Sequence, residues 1–325
     1  MQGKISMDLS FCQSETGFSL DELVTKLADV YERKAFAELL KMILQMVQEI
    51  LIHRLLHGRL DTLKCCDRGH FRLNGSFERR IRTSLGEFKM PFWRVSCSVC
   101  GATFSPLQRF IHLGRYQTKT NELEKLVVEA ASETNYRRAV QELARDGKLP
   151  ISFHTAHGWV LRTNCDEIDI SKRVIGSAPI QIMPDGTKFK GEASKGEARK
   201  GDLKVVIGIN TRGEIFPLGT WAGTSWDAIS KQWSEQKMKF PDGSILICDG
   251  EPGLSVERVM RELGRRIKKI AYGWSDKGVT KVARIILKRF ANAGAWEDYW
   301  QKRMTIIGNV FIGVGSYRCV SQNLG

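Results

Sequence analysis

Two strand-like runs in this chain end in the same dipeptide. Ile180-Gln181-Ile182-Met183-Pro184 runs into Asp185-Gly186, and 64 positions further on Ser244-Ile245-Leu246-Ile247-Cys248 runs into Asp249-Gly250. Each aspartate follows a β-type apolar run and precedes a glycine, the context in which a carboxylate leaves a buried strand and enters a cleft. Two such carboxylates on neighbouring strands can hold divalent metal between them, which is what metal-assisted phosphoryl transfer requires. Asp146-Gly147 and Asp242-Gly243 share the dipeptide but follow no comparable apolar run, and they read as turns.

The elements that must position the pair lie in residues 176–274, where strand and helix patterns alternate. Residues 203–209 and 215–221 predict strands joined by a hairpin at 210–213. Residues 226–238, 255–263 and 279–290 predict helices, and 244–248 and 267–272 predict strands. The Lys-, Gly- and Glu-rich stretch 187–204 reads as a solvated loop. The resulting order, β-β-β-α-β-α-β-α, is that of a ribonuclease H-like domain.

Upstream, residues 21–56 read as a long helix. Leu23, Leu27 and Val30, then Phe36, Leu40, Ile43, Val47 and Ile50, recur in three- and four-residue steps. Ser19 with Glu22 predicts a capping box. The stripe is wide and needs cover, either from the rest of the chain or from a second copy in a homodimer or higher oligomer. Residues 63–110 predict a small β module with little core of its own. Residues 120–163 predict three short helices, the last capped by Ser152. The expected fold class is α+β / α/β multidomain. Its parts are a helical region (1–60), a zinc-ribbon-like module (61–112), a helix-turn-helix-like region (117–165) and a mixed-sheet catalytic domain (176–325).

Charge narrows the partner. The chain has 325 residues and a net charge of +14, with a pI near 9.5. That balance points to an anionic partner, nucleic acid first. The basic residues are spread along the chain instead of lying on one amphipathic helix, which argues against a membrane surface. No run of 18 apolar residues and no signal-peptide pattern is present, so the expected location is the cytoplasm, with the nucleoid. Lys188, Lys190, Lys195, Arg199 and Lys200 follow Asp185 closely, and Arg258, Arg261, Arg265, Arg266, Lys268 and Lys269 follow Asp249. Cations so placed suit phosphates. In the three-helix region the last helix would present Ser152, His154, Thr155, His157 and Arg162 to a DNA groove.

The eight cysteines are not spaced as a secreted disulfide framework, and their clustering at 65/66 and 97/100 suggests metal in a reducing compartment. Cys97-Ser98-Val99-Cys100-Gly101 has the spacing of a zinc knuckle, its glycine allowing the turn that aims backbone amides at thiolates. The matching stretch is Cys65-Cys66-Asp67-Arg68-Gly69-His70, with Arg68 where a second cysteine is expected. The expected ligand set is therefore Cys65 or Cys66, with His70, Cys97 and Cys100, around zinc.

Taken together, the lead 80–87, the knuckle 97–107, Asp185-Gly186-Thr187 and Asp249-Gly250-Glu251 resemble a DDE transposase of a prokaryotic insertion sequence. The resemblance is to groups with an N-terminal zinc ribbon and a mutator-like, ribonuclease H-like core, and it covers about residues 60–290. It implies cleavage and strand transfer at element ends and target DNA by an acidic triad holding Mg²⁺ or Mn²⁺, hard ions suited to carboxylates. Asp185 and Asp249 take the first two positions. The third acid of such enzymes is a glutamate on a helix after the fifth strand. Asp276, Glu297 and Asp298 are the acids that remain after Glu262, and Glu297, in the helix-compatible stretch 295–300, is the candidate. Residues 310–325 contain no acid, which keeps open a truncated, catalytically dead copy or a DNA-binding regulator. A structure-specific nuclease on the same core is a third reading.

Overall fold

Apolar–charged alternation builds the first sheet. In the computed structural model, which describes residues 35–58, 63, 65–66, 70–145, 151–164, 178–192, 199–248, 255–268, 273–291 and 293–304, Phe71–Thr83 (β1) and Gly86–Cys97 (β2) form an antiparallel hairpin. The pairs Phe77↔Phe92 and Ile81↔Phe88 lie on one face, and Arg80↔Lys89 on the other. Thr103–Phe104 (β3) adds to β2, giving the order β1-β2-β3. The helix Phe36–Leu56 (α1) covers the apolar face, burying Ala37 and Leu51 against Ile81, Phe88, Met90 and Phe92. The short helix Pro106–Phe110 (α2) adds Leu107 to the same cluster. Gln48 is buried in α1, where its carboxamide donates to Pro91 O and accepts from Trp93 N, both at 3.0 Å. That pair of bonds satisfies the backbone edge of β2. The part of the expected 21–56 helix before residue 35 lies outside the described residues.

The second sheet comprises Gln181–Lys190 (β4), Lys200–Ile209 (β5), Ile215–Ala222 (β6) and Ile245–Leu246 (β7). Its order is β6-β5-β4-β7, with β4, β5 and β6 antiparallel in succession and β7 parallel to β4. The hairpin expected at 210–213 joins β5 to β6. The stretch 187–204, expected as a loop, is instead largely the facing ends of β4 and β5, with 193–198 outside the described residues. Thr187 and Phe189 are buried while Lys188 and Lys190 are exposed, a period of two masked by the lysines. Gly201 pairs with Phe189, and a Cβ there would meet the ring at 2.2 Å, so the glycine makes room for the aromatic ring.

Trp226–Glu235 (α6) lies on one face of this sheet, where Trp233 packs on the cluster of Ile180, Ile182, Val206, Phe216 and Leu218. The other face carries Ser255–Ile267 (α7), Asp276–Ala291 (α8) and Ala293–Met304 (α9). Ile267 ends α7, and residues 269–272 of the strand expected at 267–272 lie outside the described residues.

Three further helices follow the first sheet: Asn121–Glu133 (α3), Tyr136–Arg145 (α4) and Phe153–Arg162 (α5). Thr120 and Ser152 cap α3 and α5, accepting from Leu123 N at 3.3 Å and Thr155 N at 3.1 Å. Their buried residues, among them Val127, Ala139 and Trp159, belong to the same core as Met183, Val205 and Ile207 of the sheet and Leu263, Val282 and Trp300 of α7–α9. Among the described residues no helix is long and apolar enough to cross a membrane.

A close backbone crossing ties the end of β4 to the start of α8. Trp274 N donates to Lys190 O at 2.8 Å, and Glu192 N donates to Trp274 O at 3.0 Å. A Cβ on Gly273 would meet Gly191 O at 2.3 Å, a backbone clash that no rotamer change relieves. Gly273→Ala is therefore expected to destabilise the protein by about 1–3 kcal/mol or more. A lower denaturation midpoint at unchanged slope is the result that checks it.

Candidate functional site

Asp185 lies in the middle of β4 instead of at its end. It pairs with Val205 of β5, it is half-buried, and its Oδ1 accepts from Gly186 N at 2.5 Å. Among the described residues β7 pairs with β4 at Gln181 and Ile182, so Asp185 lies three residues past the last pair. There the sheet borders a cleft of about 500 Å³ lined by Ile182, Asp185, Trp226, Trp233, Leu246 and Cys248. Gly186 pairs with Lys204, a buried lysine held 2.5 Å from Asp202 and 5.5 Å from the Trp226 ring centroid. A carboxylate, a fixed ammonium and an exposed indole thus stand around one strand edge. Asp249 lies outside the described residues.

The other acids are engaged elsewhere. Both oxygens of Glu297 on α9 receive Lys125 Nζ of α3 at 2.7 Å. Asp276, at the start of α8, takes Arg199 at 3.0 Å. Neither lines the Asp185 cleft, and Asp298 does not either. The structure thus brings Glu297 to α3, not to Asp185: its partner in space is Lys125, 172 positions earlier in the chain.

The basic residues divide into two groups. Lys188, Lys190, His154 and Arg162 are exposed, and Arg265 projects from α7 in an ion pair with Glu262 at 2.7 Å. Arg266, expected to face phosphate, is buried and does not face solvent. Its Nε donates to Ala131 O at 3.1 Å, and its guanidinium sits 5.2 Å from the Tyr136 ring and 4.8 Å from that of Trp274. Its charge is held by aromatic faces and a carbonyl, so it acts in packing α7 against α3 and α4.

The first sheet carries a separate cluster. The Sγ atoms of Cys65, Cys66, Cys97 and Cys100 all lie within 4.8 Å of one another. Cys65 stands 3.2 Å from Cys100, and Cys66 stands 3.7 Å from Cys97. A tetrahedral ion with metal–sulfur bonds near 2.3 Å needs sulfurs about 3.8 Å apart, so the quartet can close on a metal ion with small movements. His70 is not a member of this set, and both cysteines of the 65/66 pair are. His70 instead lends its carbonyl to the knuckle, accepting from Ser98 N at 2.8 Å and Ser98 Oγ at 3.0 Å. Gly101, at φ +72°, closes the turn by donating to Cys97 O at 3.0 Å. The backbone N–H of Cys100, helped by that of Val99, holds the Cys97 thiol down to about 6. Its hydrogen bond to Cys100 pushes Cys65 up to about 12, and desolvation pushes Cys66 up. Cys97 is therefore the thiol most readily ionised at neutral pH, whereas Cys65 and Cys66 must give up protons to a metal. The adjacent Cys65-Cys66 pair was the sequence signal for full membership of both, obscured by aligning the two knuckles on their glycines.

No protein-family model matches this chain, and no curated protein matches it in sequence.

Proposed function

We propose that the chain is a DNA transposase of the insertion-sequence type, with a ribonuclease H-like core in the second sheet and a structural zinc ion in the first. The observation that carries the reading is the register of the second sheet. Three antiparallel strands followed by one parallel to the first is the order expected of such a core. β4 and β7 pair with an offset of 64 residues, Gln181 to Ile245 and Ile182 to Leu246, and the two aspartates share that offset, Asp185 to Asp249. In a parallel pair, equal offset is the condition for two side chains to be neighbours.

Asp185 and Asp249 would hold Mg²⁺ or Mn²⁺, which would supply Lewis-acid stabilisation of the phosphoryl oxygens and an activated hydroxyl. The chain's own contribution is positional. Pairing with β5 fixes the Asp185 backbone, the Gly186 N–H holds its carboxylate, and the exposed cations Lys188, Lys190 and Arg265 offer contacts for DNA phosphates. The four-cysteine set would hold zinc as a closed, all-protein site, the structural rather than the catalytic type.

The test is cleavage of a plasmid carrying the DNA that flanks the coding sequence, with Mg²⁺ or Mn²⁺ present and absent. Metal-dependent nicks at discrete positions are expected, and their absence in a chain that binds the DNA would overturn the enzymatic reading. That outcome favours the second reading, a DNA-binding regulator or inactive remnant. Its supporting observation is that none of Asp276, Glu297 and Asp298 lines the Asp185 cleft. Both readings predict salt-sensitive binding. For six to ten phosphate contacts, affinity for duplex DNA should fall roughly a thousandfold or more between 50 and 200 mM salt, measured by fluorescence anisotropy.

A further inference from the structure

A second cleft, of about 620 Å³, opens where α4, α5 and the β4–α8 crossing meet. Tyr136, Arg137, Phe153, His154, His157 and Trp274 line it. Its size falls in the range of small-ligand sites. Its lining is of two kinds. Flat rings form the walls, with Tyr136 and His157 in an edge contact at 5.1 Å and Phe153 tilted against His154 at 3.9 Å. Cationic and titratable groups form the rim, where the exposed Arg137 lies 4.9 Å from the Phe153 ring centroid. One acid, Glu192, lines the cleft against these groups.

The rings cannot turn aside freely. Arg266 is wedged between Tyr136 and Trp274 from behind. Trp274 is also held by its backbone bonds to Lys190 and Glu192, and its Nε1 donates to Ile267 O at 3.2 Å. His154 and His157 sit three apart on α5, but they belong to no metal group. Among the described residues the one His/Cys/Asp/Glu set with metal spacing is the cysteine quartet. Fixed ring faces with an arginine at the rim fit a planar base attached to a phosphate. A base inside a duplex cannot reach such walls without leaving its stack.

We propose that this cleft seats a single unstacked nucleotide of a DNA strand, its base against Phe153 and Tyr136 and its phosphate at Arg137. The proposal rests on the reading of the chain as a DNA-binding protein and adds that it engages unpaired strand as well as duplex. The experiment uses the full chain and three probes: a short single strand with one 2-aminopurine, a blunt duplex of the same sequence, and free dAMP. The single strand should bind with quenched 2-aminopurine emission. Phe153→Leu, which keeps apolar bulk but removes the ring, and Arg137→Ala, at an exposed position, should each lower the single-strand to duplex affinity ratio about tenfold. Melting curves report whether each variant is folded. An unchanged ratio in both folded variants, or binding without quenching, overturns the proposal. Saturable dAMP binding that both variants lose, with no single-strand binding, assigns the cleft to a free nucleotide and also overturns it. A chain that binds neither DNA form overturns the DNA reading itself, a result distinct from duplex binding with no single-strand preference at the cleft.

Discussion

Asp185→Asn is expected to reduce metal-dependent strand cleavage by roughly a thousandfold or more, the several kcal/mol that a bound ion supplies to a phosphoryl transition state. Asparagine keeps the shape of the side chain and an oxygen for the Gly186 N–H, so the fold should be retained. What it removes is the negative charge that holds a hard cation. Asp242→Asn is the matched control. It has the same Asp-Gly dipeptide, but it sits in an exposed turn closed by Ser244 N donating to Pro241 O at 3.1 Å, with Gly243 at φ +81°. Cleavage should survive there. Equal loss in both variants, or in neither, would remove Asp185 from the chemistry.

The second large effect concerns the cysteines. The purified chain should carry zinc at one ion per quartet, and Cys97→Ser together with Cys100→Ser should remove it, as metal analysis would show. Thiolates bind metal in competition with protons, so acidification should release the ion as well. The damage should be local. A bulge at Leu73/Ser76 divides the β1–β2 hairpin. Below it, Leu55, Val95 and Phe104 form a small core beside Cys65 that cannot compensate for loss of the metal. Above it, Ile81, Phe88, Met90 and Phe92 pack under α1 and should hold. Hydrogen exchange should therefore speed up around Phe71, Val95 and Phe104 and stay slow at Ile81–Phe92. Uniform exchange across the hairpin, or a chain that never held metal, would contradict the assignment.

Local signals were readable in the sequence. The hairpin at 210–213, the Ser152 cap and helix α4 all follow from periodicity and turn chemistry within a few residues. The features that escaped depend on distant partners. Residues 187–190 and 200–204 look like loop because every second side chain on the outer face is polar, while the buried alternation of Thr187 and Phe189 becomes visible only opposite β5. Arg266 looks like one more surface cation until Tyr136 and Trp274 close on it. Glu297 has the right residue type on a helix after the sheet, but Lys125, 172 positions earlier, holds it. The cysteine quartet was half legible, since spacing identified Cys97 and Cys100 but could not choose among Cys65, Cys66 and His70.

The sharing of one core by α3–α5 and α7–α9 has a consequence for how the chain is made. Besides Lys125–Glu297, Trp296 Nε1 donates to Glu129 at 2.6 Å, and Arg289 donates to Glu129 O at 3.1 Å and Ser132 Oγ at 2.5 Å. These contacts span 157 to 172 positions. During synthesis, the part of the apolar surface of α3–α5 that packs on α8 and α9 must therefore wait, uncovered, until nearly the whole described chain has left the ribosome. Helices that pack on a late-arriving partner are a slow step in folding and an exposed target for chaperones. A nascent chain stopped after α7 should therefore remain protease-sensitive through residues 121–162, even though its hairpin of β1 and β2 has already closed.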